Sequence, residues 1–333
     1  MADAGAGVVR ATAPAKLNLG LAIAGRRSDG FHELRSIFQT ITLTDRLALR
    51  RRPAQGGLPA VVLGKLTSAD GRTAIDDPGL AGADNLAVRA VASTLSRIGS
   101  PGEFSLSLAK GIPAASGLGG ASADAAAAIL MTEAATGAVL SAGERLALAA
   151  ELGSDVPFFL TGGTALVGGR GERVDSLSDA APVTFIVVFP ALATPIVRKT
   201  ARLFAALLPE DFDPGDAVVE QAERLRAGLP IDPALLGNGF SRALLALAPE
   251  LGDLQALIRA ATGRAAALSG AGPAHYVVEP DPDRATRQAA ALRQRLGDRA
   301  QVFVGQPWRG PPSVERSERR DPKWPGRVEP TTP

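Results

Sequence analysis

Apolar positions follow two different rhythms along this chain. Residues 9–24 (VRATAPAKLNLGLAIA) are apolar with few interruptions and read as one or two strands; a polar turn at 25–30 and an alternating stretch through Ile41 follow. Strand-like segments continue over 45–63, broken by Pro53 and a pair of glycines. Then the period lengthens. DNLAVRAVASTLSRI (84–98) sets apolar residues at helical spacing, with Asp84 as N-cap and Gly99 as stop. The strand FSLSLA (104–109) runs into a Gly-rich segment at 111–120, and an Ala-rich helix begins near Ser122. Ser141 and Glu144 stand at capping-box spacing at the head of a helix over 141–152, which Gly153 ends and which delivers Asp155 just beyond it.

Residues 157–168 read as strand and turn, and PVTFIVVFP (182–190) as a fresh buried strand opening a second core. Helical patterns at 217–227, 241–247 and 252–261 follow, then strand, turn and strand around 268–279. From Pro307 the pattern collapses: seven of the last 27 residues are proline and both tryptophans lie here, so this tail is expected to be disordered. At 333 residues two ordinary domains are the better expectation, the second core opening near 182–190 and the tail at 307–333 falling outside both.

Composition narrows the function classes. No apolar run approaches the roughly 18–20 residues of a membrane span, and Met1–Arg10 carries Asp3 and no apolar stretch, so a cytoplasmic protein with no membrane partner is expected. There is no cysteine, which removes thiolate chemistry and Cys-ligated zinc, and only two histidines, His32 and His275. Any metal must then sit on oxygen ligands, which points to magnesium. The net charge of +2 is accounted for by the tail, where six Lys or Arg face four Asp or Glu, so the body lacks the footprint of a nucleic-acid binder.

The segment KGIPAASGLGGASADA (110–125) lies between a predicted strand and a predicted helix, where backbone N–H groups can close on a phosphate. Gly117, Gly119 and Gly120 clear space, and Ser116 and Ser122 offer hydroxyls to phosphate or to magnesium. It is neither a Walker A loop nor a dinucleotide fingerprint. Taken alone, such a stretch is equally compatible with tight helix–strand packing. Lys16 beside Asn18 in an apolar strand is unusual for a structural residue, because a buried lysine needs a partner. Asp155, on local sequence alone, reads rather as a turn residue ahead of Val156-Pro157.

Three segments in order, PAKLNLGL (14–21), IPAASGLGGASADAA (112–126) and SGAGP (269–273), resemble the three motifs of the GHMP kinases. The runs at 15–41, 84–90 and 152–174, above all GRRSDGFHEL (25–34), are most similar to the branch that phosphorylates a cytidine-diphosphate-linked methylerythritol. The resemblance implies a two-domain α/β fold, an ATP-binding domain over 1–165 and a C-terminal domain over 166–306, with its active site in the interdomain cleft, ATP with magnesium as donor, and the 2-hydroxyl of the methylerythritol unit as acceptor. Carried over by position, Lys16 and Asp155 match the catalytic pair. Pro113, Ala114, Ala115, Ser116, Gly117, Leu118, Gly119, Gly120, Ala121, Ser122 and Ala123 match the ATP-phosphate loop, with Ser122 the candidate magnesium ligand. Asn85 and Lys110 match positions near the adenosine, Asn18 and His32 match residues that line the cytidine side, and Phe31 stands where the family has an aromatic ring over the cytosine. In TPIVR (194–198), Arg198 occupies the place of a second aromatic, and a guanidinium can stack on a base.

The expected partner is a small molecule, with the chain a monomer or weak homodimer. A homoserine- or mevalonate-type kinase would share the loop, but Phe31-His32 argues against it. A silent nucleotide binder has no use for both Lys16 and Asp155.

Overall fold

The computed structural model describes residues 7–52, 61–71, 73–75, 82–100, 102–192 and 196–317. The break expected at Pro53, the Thr194-Pro195 pair and Trp324 lie outside these residues. In chain order the elements are β1 (Val8–Arg26), β2 (His32–Arg52), β3 (Val61–Ser68), α1 (Leu86–Ile98), β4 (Glu103–Lys110), α2 (Gly120–Thr136), α3 (Ala142–Leu152), α4 (Val156–Phe159), β5 (Thr164–Gly169) and β6 (Arg173–Ser176). They continue with β7 (Thr184–Pro190), α5 (Lys199–Ala205), α6 (Asp216–Arg226), α7 (Ser241–Leu247), α8 (Glu250–Thr262), β8 (Ala267–Leu268), β9 (His275–Glu279), α9 (Pro282–Leu296), β10 (Ala300–Gly305) and β11 (Ser313–Ser317).

The long hairpin of β1 and β2 organises the first half. β2 is long enough to pair with β4 through Arg46–Arg52 and with β5 through Leu34–Gln39, giving a seven-stranded sheet ordered β11-β1-β2-β4-β3 with β5 and β6 branching off. Alternation along β2 and β4 sends Leu47, Leu49, Leu106 and Leu108 to one face, where they meet Val91 and Leu95 of α1 and Ile129 of α2. The alanines at 123 and 125–128 are fully buried, and their small side chains let α2 lie close to the sheet. The second half is a four-stranded antiparallel sheet, β10-β7-β9-β8, whose core joins Ile186, Val188 and Val277 to Leu292 and Leu296 of α9. Leu17 and Leu19 of β1 share a third cluster with Phe185 and Tyr276, so β1 is common to both halves and carries its polar residues to the seam between them.

Several sequence expectations change. The N-cap of α1 is Asn85 rather than Asp84, its Oδ1 accepting from the N–H of Ala87 and Val88 at 3.0 and 3.4 Å. Of residues 157–168, read as strand and turn, 157–159 instead belong to the helical turn α4, because Pro157 supplies a fixed φ and no donor at the first turn, and the strand begins at Thr164. The boundary drawn at 165/166 falls inside β5, and β5 and β6 both belong to the first sheet. The expectation of disorder from Pro307 is corrected for 307–317. The Trp308 N–H donates to Thr40 O at 2.8 Å, and β11 pairs antiparallel with β1 from Val8↔Ser317 to Thr12↔Ser313. The reason is an open edge on β1 that a strand following Pro311-Pro312 can cover. Residues 318–333 lie outside the described chain.

Ending the chain at Gln306 should therefore bare that edge. A fall in Tm on the order of 5 °C is expected in a thermal melt, equivalent to a loss of one or two kcal/mol in a chain of this size. An unchanged melt would show that β11 adds nothing to stability.

Candidate active site

Lys16 sits in β1 between two register shifts, Pro14/Ala15 and Asn18/Leu21. These bulges bend the strand, and the Lys16 N–H donates to Leu118 O at 2.8 Å, tying the strand to the Gly-rich loop. Its side chain is almost completely buried. The Nζ donates to Asn18 Oδ1 at 2.7 Å, lies 4.2 Å from the centre of the Phe38 ring, and stands 3.5 Å from Asp155 Oδ2. Burial pulls the Lys16 amine below its ordinary range, and the adjacent Asp155 works in the opposite direction by charge and hydrogen bonding. Asn18 is fixed in turn: its Nδ2 donates to Ser36 Oγ at 2.9 Å, Ser36 donates to Gly20 O, and the Tyr276 hydroxyl donates to Asn18 O.

Asp155 stands at the head of α4, where its side chain makes no capping bond, and its carboxylate is 31% exposed against 4% for the lysine side chain. One partner is therefore anchored and the other is open to a ligand. Residues 139 positions apart in sequence are brought together because β1 runs under the loop while α3 and α4 deliver Asp155 above it.

The Gly-rich loop runs from Gly111 into α2, whose first turn has no side-chain cap and so keeps its backbone donors for a ligand. Gly117 has φ +86, and a Cβ there would lie 2.3 Å from Ser269 O, a backbone atom that cannot move aside. Gly119 has φ +75, and its Cβ would press on Lys16 Cγ and the Phe159 ring, both at 2.9 Å. The SGAGP turn is knitted to the same loop: Ser269 Oγ donates to Gly117 O at 3.1 Å and the Ala274 N–H to Ser116 O at 3.0 Å. A cavity of about 300 Å³ lies over the loop, bordered by Asn85, Lys110, Ser116 and Ser122.

Lys110 and Asn85 reach this cavity, but their polar groups are already committed. The Lys110 ammonium donates to Asp124 Oδ2 at 2.6 Å and to Asp45, and Asp45 also accepts the N–H groups of Gly111 and Ile112 at 2.7 and 2.9 Å. Burial works against the charge on Lys110, yet Asp124 and Asp45 outweigh it and hold the amine above its usual range. Asp45 and Asp124 thus pin both ends of the loop through one lysine. No local sequence signal marks either residue.

A second cavity, of about 810 Å³, opens on the other side of Lys16 and Asp155 and includes Asn18, Phe31 and His32. The His32 ring stacks on Phe204 with centroids 4.3 Å apart and planes 14° from parallel. Burial, then Arg26, lowers the His32 pKa, leaving a neutral imidazole at pH 7. The exposed Phe31 ring faces the Arg170 guanidinium at 4.5 Å. Arg198 does not line this cavity. It is exposed, with φ 52 at the N-cap of α5, and the cavity wall is lined instead by Phe204, further along α5, and by Arg170. The sequence reading missed Phe204, because α5 itself was not seen. His275 is buried, with Nδ1 against Pro273 O and Nε2 against Gln255, away from both cavities, as expected of a structural histidine.

The sequence model of the GHMP kinases N terminal domain matches residues 85–163. A protein of Thermus thermophilus named 4-diphosphocytidyl-2-C-methyl-D-erythritol kinase is 37% identical over 281 residues, covering 84% of this chain and 91% of its own. The chain belongs to the 4-diphosphocytidyl-2-C-methyl-D-erythritol kinase family. A second member of this kinase family, from Anaeromyxobacter dehalogenans, is 35% identical over 92% of this chain and 96% of its own. The crystal structure of a 4-(cytidine 5′-diphospho)-2C-methyl-D-erythritol kinase superposes with a TM-score of 0.71 at 35% identity, covering 89% of this chain and 98% of that one. The homoserine kinase of Cytophaga hutchinsonii shares the fold, at 19% identity and a TM-score of 0.65. Membership in a kinase family means that a nucleotide is one substrate and a small molecule the other. No helix among the described residues is long and apolar enough to cross a membrane.

Proposed function

We propose that the chain transfers the γ-phosphoryl group of ATP to the 2-hydroxyl of 4-(cytidine 5′-diphospho)-2-C-methyl-D-erythritol. The observation that carries this reading is the position of the Lys16–Asp155 pair between a loop-lined cavity suited to phosphates and an aromatic-lined cavity suited to a base.

Phosphoryl transfer passes through a loose transition state, so the protein's task is to align the partners and to stabilise charge on the transferred oxygens. The acceptor is a tertiary alcohol, crowded and weakly acidic. As its oxygen bonds to the γ-phosphorus and the bond to the β-phosphate oxygen breaks, the hydroxyl proton passes to the Asp155 carboxylate and ADP departs. Lys16, 3.5 Å from that carboxylate, orients it and faces the moving phosphoryl group. The Gly117–Gly120 backbone and the head of α2 receive the phosphates.

The oxygen donors present fit magnesium carried in with the nucleotide. Among the described residues no group of three or more His, Asp or Glu could form a protein cage. Magnesium typically takes one or two protein oxygens and completes its shell with phosphate and water, and Ser122, half-buried at the head of α2, is the hydroxyl placed to be one of them. When bound, the ion offsets negative charge on the phosphates.

Phe204 and His32 support the cytidine assignment, since a stacked pair at the cavity wall offers a flat face to a base. Phe204→Ala is expected to raise KM for the cytidylated acceptor about 3- to 10-fold while holding kcat, the size of one aromatic stacking contact. A KM left unchanged would remove Phe204 from the binding site. The function itself is tested by comparing ATP-dependent turnover with the cytidylated acceptor, homoserine and mevalonate. Turnover with the first alone is expected, and preferential turnover with either of the others would reassign the acceptor cavity.

A further inference from the structure

One lysine outside the motifs has an unusual setting. Lys199, the first residue of α5, reaches from the second half of the chain to the loops of the site. Its ammonium donates to Ala115 O at 2.5 Å, in the Gly-rich loop, and to Gly272 O in the SGAGP turn. Ala115 is one of two described non-glycine residues with positive φ, at 52°, and the other is Arg198, next to Lys199. The left-handed turn at Arg198 starts α5 at Lys199, and the amine then spans two loops lying 73 and 84 positions away in sequence.

No carboxylate among the described residues stands within ion-pair distance of this amine, although at the site Lys16 has one and Lys110 has two. Two carbonyl oxygens use two of the three donors of an ammonium and leave its charge uncompensated. A partly buried cation without an anion costs stability, and here it borders a loop whose backbone donors also await an anion.

We infer that Lys199 is a nucleotide-phosphate ligand and positioning residue of the kinase, an ammonium stored on the carbonyls of Ala115 and Gly272 until a phosphate oxygen of the nucleotide supplies its counter-charge. This rests on the nucleotide reading above. It makes the second half of the chain a contributor to phosphate binding, so loading the loop also draws α5 and its Phe204 onto the site. One residue thereby links the donor and acceptor cavities.

The chain has only five lysines, at 16, 65, 110, 199 and 323, so labelling with [13Cε]lysine gives a spectrum simple enough to assign by the loss of one signal in Lys199→Arg. Burial lowers the Lys199 amine to about 8 in the empty protein. An adjacent phosphate favours the charged form, so a non-hydrolysable ATP analogue with magnesium is expected to move the titration of this signal up by about one unit or more. Kinetically, Lys199→Ala should raise KM for ATP roughly 10- to 100-fold, the range of a charge-assisted hydrogen bond, and Lys199→Arg should recover most of that loss.

An analogue that binds the wild type, as seen by calorimetry, while leaving the Lys199 titration in place would overturn the inference. So would a Lys199→Ala enzyme with unchanged KM for ATP. If the wild type failed to bind the analogue at all, the nucleotide reading of the whole site would fall with it.

Discussion

Asp155→Asn is expected to lower kcat by about 10²- to 10⁴-fold, the usual contribution of a positioned general base, with KM for ATP changed little. The substitution keeps size and shape and removes one negative charge. Asp155 is partly exposed and caps nothing, so the fold has little reason to notice. The lysine beside it does. Burial already pulls Lys16 below its ordinary range, and Asp155 opposes that pull. Without the carboxylate, the residual activity should therefore lose its protonated lysine at a lower pH than the wild type does, moving the alkaline limb of the pH–rate profile downward. A variant with residual activity but an unshifted alkaline limb would show that Lys16 and Asp155 do not act as a pair.

Lys16→Met is expected to lower kcat while leaving stability nearly unchanged. The methionine retains most of the stem and removes the ammonium that faces the phosphoryl group. Loss of one such electrostatic contact costs about 10²- to 10³-fold in kcat. Stability should hardly follow. The folded-state pKa of Lys16 lies below its unfolded value, so the unfolded chain binds this proton more tightly and the group's cost to folding is full below the folded value, easing as pH rises through it toward the unfolded one. Removing the buried cation relieves that cost, while Asn18 Oδ1 loses its donor. Each effect is on the order of 1–3 kcal/mol and they oppose, so Tm should shift by less than about 5 °C. A collapse of Tm would mean that Lys16 is chiefly structural, and wild-type kcat would remove it from the mechanism.

What was legible in the sequence was whatever leaves a local trace. Gly117 and Gly119 mark a backbone that nothing with a Cβ can follow, Ser141 and Glu144 form the capping box their spacing foretold, and Lys16 in an apolar strand announces a buried partner. Residues whose role depends on long-range packing left no such trace. Asp45 and Asp124 meet across Lys110 because β2, β4 and α2 converge, and Phe204 reaches His32 only after α5 folds back over the hairpin. Arg198 shows the limit at single-residue scale. The left-handed turn there leaves Arg198 exposed and starts α5 at Lys199, and no pattern of residue types predicts that φ. The short strand β11 was hidden by its flanking prolines, which suggest disorder until the open edge of β1 is known.

The most direct test of the central claim is 31P NMR of the product formed by the wild-type protein from ATP, magnesium and the cytidylated methylerythritol. Transfer to the tertiary 2-hydroxyl places the new phosphate on a carbon bearing no hydrogen, so its signal should show no three-bond coupling to a carbinol proton. A new phosphate signal split by such a proton would place the group on a primary or secondary hydroxyl and contradict the assignment of acceptor and geometry alike.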